Sequence, residues 1–392
     1  MKLLHLADLH IGKRVYEYSM LEEQRNVLLQ AFQMAKEHGV DAVLIAGDVY
    51  DKNIPTIEGV KLFDTFLTAL KAKNIPTFII SGNHDSAERL SFGRHLFEDA
   101  DIFLSGTYED EILKKTLTDE FGEVDIYLLP FLKPQQIEVA EGEEKPQNYT
   151  DAIRLVLNRL NINKNNRNVL LAHQFVGGGS TEPDRADSET QSVGGVDMVD
   201  YRVFNDFDYV ALGHLHGAQH VGRETVRYAG SPVKYSFSEA RQEKSATLVT
   251  LGAKNASTGK TADGTACVTI EKLPFIPVHD MREIKGTLRQ LTSREVLEAC
   301  DPEDYVHITL TDEEEIYDVF GRLRAAYPNL MSLDFDNART RAEGAVAPAG
   351  ENIREKTTME LFREFFELQA GAELSPMQEQ IMTDIIEKNG EN

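Results

Sequence analysis

The chain has 392 residues, 41% of them hydrophobic and 27% charged, with no tryptophan. This suits a globular protein large enough for two domains and a substantial core. Forty-one basic against 65 acidic side chains leave a net charge of −24, which argues against broad nonspecific attraction to nucleic acid, because phosphates need local positive charge. No apolar run approaches the roughly 18 residues of a membrane span. The opening MKLLHLADLH breaks any signal-peptide core with His5 and Asp8. Cys267 and Cys300 are too few for a disulfide framework or a cysteine zinc site, and a cytoplasmic location is expected.

The first hundred residues alternate between strand and helix patterns. Lys2 to Ala7 reads as a buried strand, 17 to 38 as a helix stopped by Gly39, and Asp41 to Ala46 (DAVLIA) as a second strand. A helix over 56 to 73 and a strand over Pro76 to Ile80 (PTFII) follow. That order predicts a parallel, doubly covered sheet. Further strands are expected at 125 to 130, 168 to 172, 208 to 212, 226 to 229 and 246 to 251.

Residues 139 to 149 and 176 to 195 read as loops, the second long, polar and flanked by glycine, of the kind that often lies near a site. The TGKT within 252 to 265 imitates a phosphate-binding loop, but six residues separate Gly252 from Gly259 where four are required, and a strand-like run follows instead of a helix. It reads as a hairpin tip. From about Val278 to Asp336 a new pattern begins, with strands at 305 to 310 and 330 to 335 around a helix at 315 to 327. Residues 337 to 356 read as a linker. Two amphipathic helices end the chain: Leu361, Phe362, Phe365, Phe366 and Leu368 share one face, and Met377, Ile381, Met382, Ile385 and Ile386 share another.

The polar residues that terminate the buried strands carry the chemistry. ADLH supplies Asp8 and His10, AGDVYD supplies Asp48, and SGNHD supplies Asn83, His84 and Asp85. LAHQ supplies His173, and GHLH supplies His214 and His216. The carboxyl ends of parallel strands share one rim, where ligands bind. A strand-end aspartate alone is often a helix cap, and Gly-Asn is often a turn. Five segments that all deliver nitrogen and oxygen donors to one rim are hard to explain by capping. Such donors suit Mn²⁺, with Mg²⁺, Fe²⁺ or Zn²⁺ also compatible. Seven donors suit two ions, which can clamp the attacking and leaving oxygens of a phosphoryl displacement.

The series DxH, GDxxD, GNHD, H and GHxH resembles the calcineurin-like metallophosphoesterase superfamily. The resemblance implies an α/β fold, a metallophosphoesterase β-sandwich flanked by helices. It assigns Asp8, His10, Asp48 and His216 to one ion, and Asp48, Asn83, His173 and His214 to the other. It implies that the ions would activate the attacking hydroxide, with His84 assisting the leaving oxygen and Asp85 orienting its imidazole. Over residues 1 to 275, LHLADLHIGK, LAHQFVGGG with SVGG, and GHLHGAQ with YAGSP resemble the double-strand-break repair nucleases of that superfamily.

Those nucleases imply metal-dependent cleavage of DNA ends, single strands and hairpins, in a homodimer bound to two copies of an SMC-like ATPase. The implied domains are a nuclease domain at 1–275, a small α/β capping domain at 276–336, a linker at 337–356, and ATPase-docking helices at 357–390. Lys13, Arg14 and Arg89 are the candidate phosphate contacts, and the helices within 56 to 70 and 86 to 98 are the expected dimer surface. A small-molecule phosphodiesterase or phosphatase is the alternative, but Lys52-Asn53 follow Asp51 and GNHD replaces GNHE, against the phosphoprotein phosphatase pattern. A non-enzymatic structural metal site would be closed and usually rich in sulfur, and this donor set is neither.

Overall fold

The computed structural model describes residues 1–139, 144–178, 183–189, 197–254, 267–314, 316–338 and 340, and beyond them 359, 362, 363, 366, 374, 375, 377–379, 381 and 382. Two six-stranded mixed sheets face each other. In the first, Lys2–Leu6 lies at the centre, parallel to Ala42–Ala46, which continues into Thr77–Ile80 and Ile102–Ser105. On its other side Lys2–Leu6 pairs antiparallel with Ser245–Leu251, which in turn pairs with Val268–Pro274. The TGKT stretch expected as a hairpin tip falls in 255–266, which lie outside the described residues. In the second sheet Arg167–His173 is central, parallel to Gly122–Leu129 and to Tyr209–Gly213, with Arg223–Tyr228 beyond.

Leu3, Leu44, Phe78, Ile126, Leu171 and Ala211 fill the space between the sheets. The outer face of the first sheet is covered by Leu21–Glu37 and Ile57–Lys71, through Val27, Leu28, Leu62 and Phe66. The outer face of the second is covered by Tyr149–Asn158, through Ile153 and Val156. The parallel sheet expected from the first hundred residues is therefore doubly covered, by helices on one side and by a second sheet on the other. This explains why its strands are apolar on both faces.

The helix expected over 17 to 38 begins only at Leu21, because Arg14–Val15 and Tyr18–Ser19 form a small hairpin. Its turn residues Tyr16 and Glu17 sit at φ 45° and 67°, outside the helical region. The second helix starts where its sequence directs, with the Thr56 side chain accepting from Gly59 N at 3.1 Å.

A third, three-stranded parallel sheet comprises Met281–Gly286, Tyr305–Leu310 and Leu330–Phe335, around a core of Val306, Ile308, Leu323 and Tyr327. Its first strand was not legible as one, since exposed charges alternate with its apolar positions. Glu23 fastens this sheet's entry to the first helix, accepting from Val278 N (2.9 Å), His279 N (3.0 Å) and His279 Nδ1 (2.8 Å).

Candidate metal centre

The carboxyl ends of Lys2–Leu6, Ala42–Ala46 and Thr77–Ile80 in one sheet, and of Arg167–His173 and Tyr209–Gly213 in the other, converge on a single rim. Asp8, His10, Asp48, His173 and His216 are at most 2% exposed. Asp48 Oδ2 lies 3.6 Å from His10 Nε2 and 3.4 Å from His173 Nε2. Asn83 Oδ1 faces two imidazoles, His173 Nε2 at 3.1 Å and His214 Nδ1 at 3.0 Å. His10 Nε2 and His216 Nε2 face each other at 3.1 Å. The seven donors thus share one cluster, with Asp48 in contact with both halves.

The backbone is bent to make this possible. Asp8, His10, Asp48 and His214 have φ of 53°, 43°, 48° and 109°, a region that costs a non-glycine residue on the order of 1–3 kcal/mol. Such strain concentrates where a surrounding structure holds it for a purpose. Two glycines permit the close approach: a Cβ on Gly82 would stand 2.1 Å from Asp48 Oδ1, and one on Gly213 would stand 1.9 Å from the Ala46 carbonyl oxygen.

The electrostatics are those of a site built for cations. Burial pushes the Asp8 carboxyl well above its usual range, an effect that the nearby His173 opposes. Its Oδ1 accepts from His214 N at 2.9 Å, while its buried Oδ2 has no hydrogen-bond partner among the described residues. Burial pushes Asp48 up as well, but His173, followed by His10 and His84, outweighs it and holds this carboxylate below the ordinary range. Burial lowers His10, His214 and His216. At His173 burial acts downward too, yet Asp48 and Asp8 raise it to about 9. Among the described residues, Asp8, His10 and His216 can offer ligand atoms within 4.8 Å of one another, as can Asp8, Asp48 and His173. An orphaned buried carboxylate oxygen beside converging imidazole nitrogens fits divalent metal.

The GNHD turn brings His84 and Asp85 to the same rim. The His84 Nδ1 meets the carbonyl of Asp51 at 3.1 Å, and His84 N donates to Asp48 Oδ1 at 2.9 Å. Asp85 follows it in the GNHD turn. Its carboxylate accepts from the backbone amides of Val49 (3.1 Å), Tyr50 (2.9 Å) and Gly82 (2.9 Å). Asp85 therefore ties two strand-end loops together. Burial and Asp48 raise it to about 6, against those amide bonds.

Sequence reasoning also missed the support of His216. Its Nδ1 lies 2.7 Å from Ser188 Oγ and 3.4 Å from Glu239 Oε1, and Glu239 Oε2 pairs with buried Lys244 Nζ at 2.5 Å. A carboxylate behind an imidazole fixes its tautomer and its orientation. No motif marks Glu239. Asp51, by contrast, is the last residue of the GDxxD signal.

A model of the calcineurin-like phosphoesterase family matches residues 1–218, and one described as the type 5 capsule protein repressor C-terminal domain matches 277–370. The chain is 31% identical over 337 residues to the SbcD subunit of the SbcCD nuclease of Staphylococcus saprophyticus, spanning 85% of this chain and 84% of that one. The chain belongs to the SbcD family of calcineurin-like phosphoesterases. It is also 30% identical over 339 residues to the SbcD subunit of Staphylococcus epidermidis, spanning 85% of each. Membership makes it a metal-dependent hydrolase of the nuclease class. A dimetal phosphatase from Danio rerio is similar over 71% of this chain and 97% of that one, at 11% identity and a TM-score of 0.40.

In this SbcD-family chain, Lys13 is the one candidate phosphate contact close to the cluster. Its Nζ pairs with Asp51 Oδ1 at 2.8 Å and lies 5.5 Å from the Tyr235 ring centroid. Arg14 sits in the exposed hairpin, donating to the Glu17 carbonyl. Arg89 is exposed on the short helix Ala87–Leu90 that follows the GNHD turn. No helix among the described residues is long and apolar enough to cross a membrane.

Proposed function

We propose that the chain cleaves DNA with two divalent ions, Mn²⁺ foremost, as an exonuclease on duplex ends and an endonuclease on single strands and hairpins. The observation that carries this reading is the unpartnered, fully buried Asp8 Oδ2 beside imidazole nitrogens held 3.1 Å apart on His10 and His216. In this reading Asp8, His10, Asp48 and His216 hold one ion. Asp48, Asn83, His173 and His214 hold the other.

When bound, the ions supply Lewis acidity at the phosphoryl oxygens and lower the pKa of an attacking water. The protein contributes position and protons. Asp48 stays ionised between His10 and His173. The Asp51 carbonyl takes a hydrogen bond from His84 Nδ1, which orients the ring that assists the departing oxygen. Asp85 acts through the backbone, holding the loop that carries Asn83 and His84. The domain scheme of 1–275, 276–336, 337–356 and 357–390 is part of the same proposal, supported by the separate core around Val306 and Tyr327. So is a cytoplasmic location, which two free cysteines suit.

The relatives are named as subunits of SbcCD, and the proposal extends to an SMC-like ATPase partner whose basic surface offsets the charge of −24. The helices at 357–390 are its docking segment. Most of those residues lie outside the described ones, although the Phe362 and Phe366 rings are 6.3 Å apart. A homodimer surface is supported by Ile57, Phe92 and Leu96, exposed at 69%, 83% and 79%. A groove of about 370 Å³ between Val60, Phe63, Leu67, Leu90 and Phe97 is lined by Phe92 as well.

The test is hydrolysis of a DNA hairpin and of bis-p-nitrophenyl phosphate, with Mn²⁺ against EDTA, wild type beside His84→Ala. Metal-dependent cleavage of both substrates, abolished in the variant, is expected. Cleavage of neither by the metal-loaded chain would overturn the enzymatic reading.

A further inference from the structure

Residues 183–189 form a strap fastened to the end of the strand that carries His214 and His216. Asp184 N donates to Gln219 Oε1 (2.9 Å), Asp187 N to Ser238 Oγ (3.0 Å), and His216 N to Glu189 Oε1 (2.7 Å). With Ser188 Oγ on His216 Nδ1 and Gln219 Nε2 donating to the Asp184 carbonyl (2.8 Å), these contacts hold the strap beside the metal centre. Arg185 lies within it. Its Cζ stands 3.6 Å from the Phe175 ring centroid, and that ring is 6.4 Å from the ring of His214.

Half-buried Arg185 is flanked in sequence by Asp184 and Asp187, yet among the described residues no carboxylate lies within ion-pairing distance of it and no acceptor takes its N–H groups. Stacking uses the face of a guanidinium and leaves its edge of donors free. A cation fixed by an aromatic face beside a metal ligand, with donors unspent, matches the fork geometry of a phosphate. In a chain of net charge −24, a strand of nucleic acid needs such fixed local charge to reach the centre.

We propose that Arg185 is a substrate-contacting residue: its guanidinium, held on Phe175 at the His214 side of the centre, takes a backbone phosphate adjacent to the scissile phosphodiester. This rests on the nuclease reading above and names the residue by which that site distinguishes a strand from a small ester.

The test compares wild type, Arg185→Ala and Arg185→Lys, each loaded with Mn²⁺, on a thymidine hexanucleotide and on bis-p-nitrophenyl phosphate, across a series of salt concentrations. For Arg185→Ala the KM for the hexanucleotide rises about tenfold, the value of one charge-assisted contact of roughly 1.4 kcal/mol. The ratio of hexanucleotide to ester kcat/KM falls, and the salt slope flattens by about 0.7, the share of one single-strand phosphate contact. Arg185→Lys keeps the slope but recovers only part of the KM, because it lacks the planar fork.

Equal losses on both substrates, or an unchanged salt slope, would overturn the assignment. So would a wild type that hydrolyses the ester but not the hexanucleotide, with the two-metal phosphodiesterase left intact. A wild type that hydrolyses neither would remove the nuclease reading itself, and this inference with it.

Discussion

Asp48 and His173 meet across the two sheets, Asp48 Oδ2 standing 3.4 Å from His173 Nε2 while His173 Nδ1 donates to the Ala46 carbonyl at 2.9 Å. Each ends a strand of a different sheet, so this pair joins the two halves of the sandwich at the candidate metal centre. Asp48 and Asp8 hold the pKa of His173 up at about 9, against the downward effect of burial.

Metal uptake must therefore expel a proton. At pH 7 His173 is protonated in the metal-stripped chain, and a ligand imidazole must be neutral. Calorimetric titration with Mn²⁺ in two buffers of different ionisation enthalpy should register release of about one proton per chain, and affinity should fall as pH drops from 8 to 6. The pair's contribution to stability in the stripped chain has the opposite trend at high pH. Because the folded pKa of His173 is raised, that contribution is complete below its ordinary value of 6.5 and is lost as pH rises through about 9. Binding without proton release would show that the pair is not a ligand pair.

Glu239 supports the metal centre through His216. Glu239→Gln should weaken Mn²⁺ binding about 10- to 100-fold, the usual effect of losing a carboxylate behind a ligand histidine. It should also lower the melting temperature, since buried Lys244 loses its counter-charge at a cost of about 3–5 kcal/mol. Metal content after dialysis and thermal denaturation read the two effects separately. An unchanged metal affinity would refute a role for Glu239 through His216.

His84 and Asp85 should separate cleanly. His84→Ala is expected to lower turnover about 10²- to 10⁴-fold, as loss of a general acid does, with little change in melting. Asp85→Ala strips the acceptor from three backbone amides, each costing about 1–3 kcal/mol when left unsatisfied. Its melting transition should fall well below that of wild type. Wild-type stability in Asp85→Ala would refute the loop-fastening role.

The exposed apolar surface should hold two copies together. Phe92→Glu combined with Leu96→Glu replaces side chains that are 83% and 79% exposed, so the fold should tolerate both changes. Light scattering should give the dimer mass for wild type and half of it for the double variant. A wild type that is monomeric at micromolar concentration would dismiss this surface.

Much of the site was legible along the chain. Short buried runs such as DAVLIA and NVLLA announce strands, and each ends on an aspartate, asparagine or histidine that its neighbours have no structural need for. The first two helices could be placed to within a few residues, except where Tyr16 and Glu17 turn a hairpin and delay the first. The strand Met281–Gly286 was missed because one face carries charge, so its apolar period is weak.

The sequence by itself determined the donor set, since the residue types that end buried strands are written in the chain and need no partner to be read. Only the tertiary structure decided which donors each of the two sheets delivers, and that left-handed backbone at Asp8, His10, Asp48 and His214 aims them inward. It also decided that the Asp51 carbonyl meets the His84 ring, and that Ser188 and Glu239 stand behind His216. The physical reason is the same in each case. A ligand's identity is a local property of one residue, whereas its orientation depends on a hydrogen bond to a partner as remote as the 127 positions between Ala46 and His173, and the order of residues along a chain does not encode that separation in space.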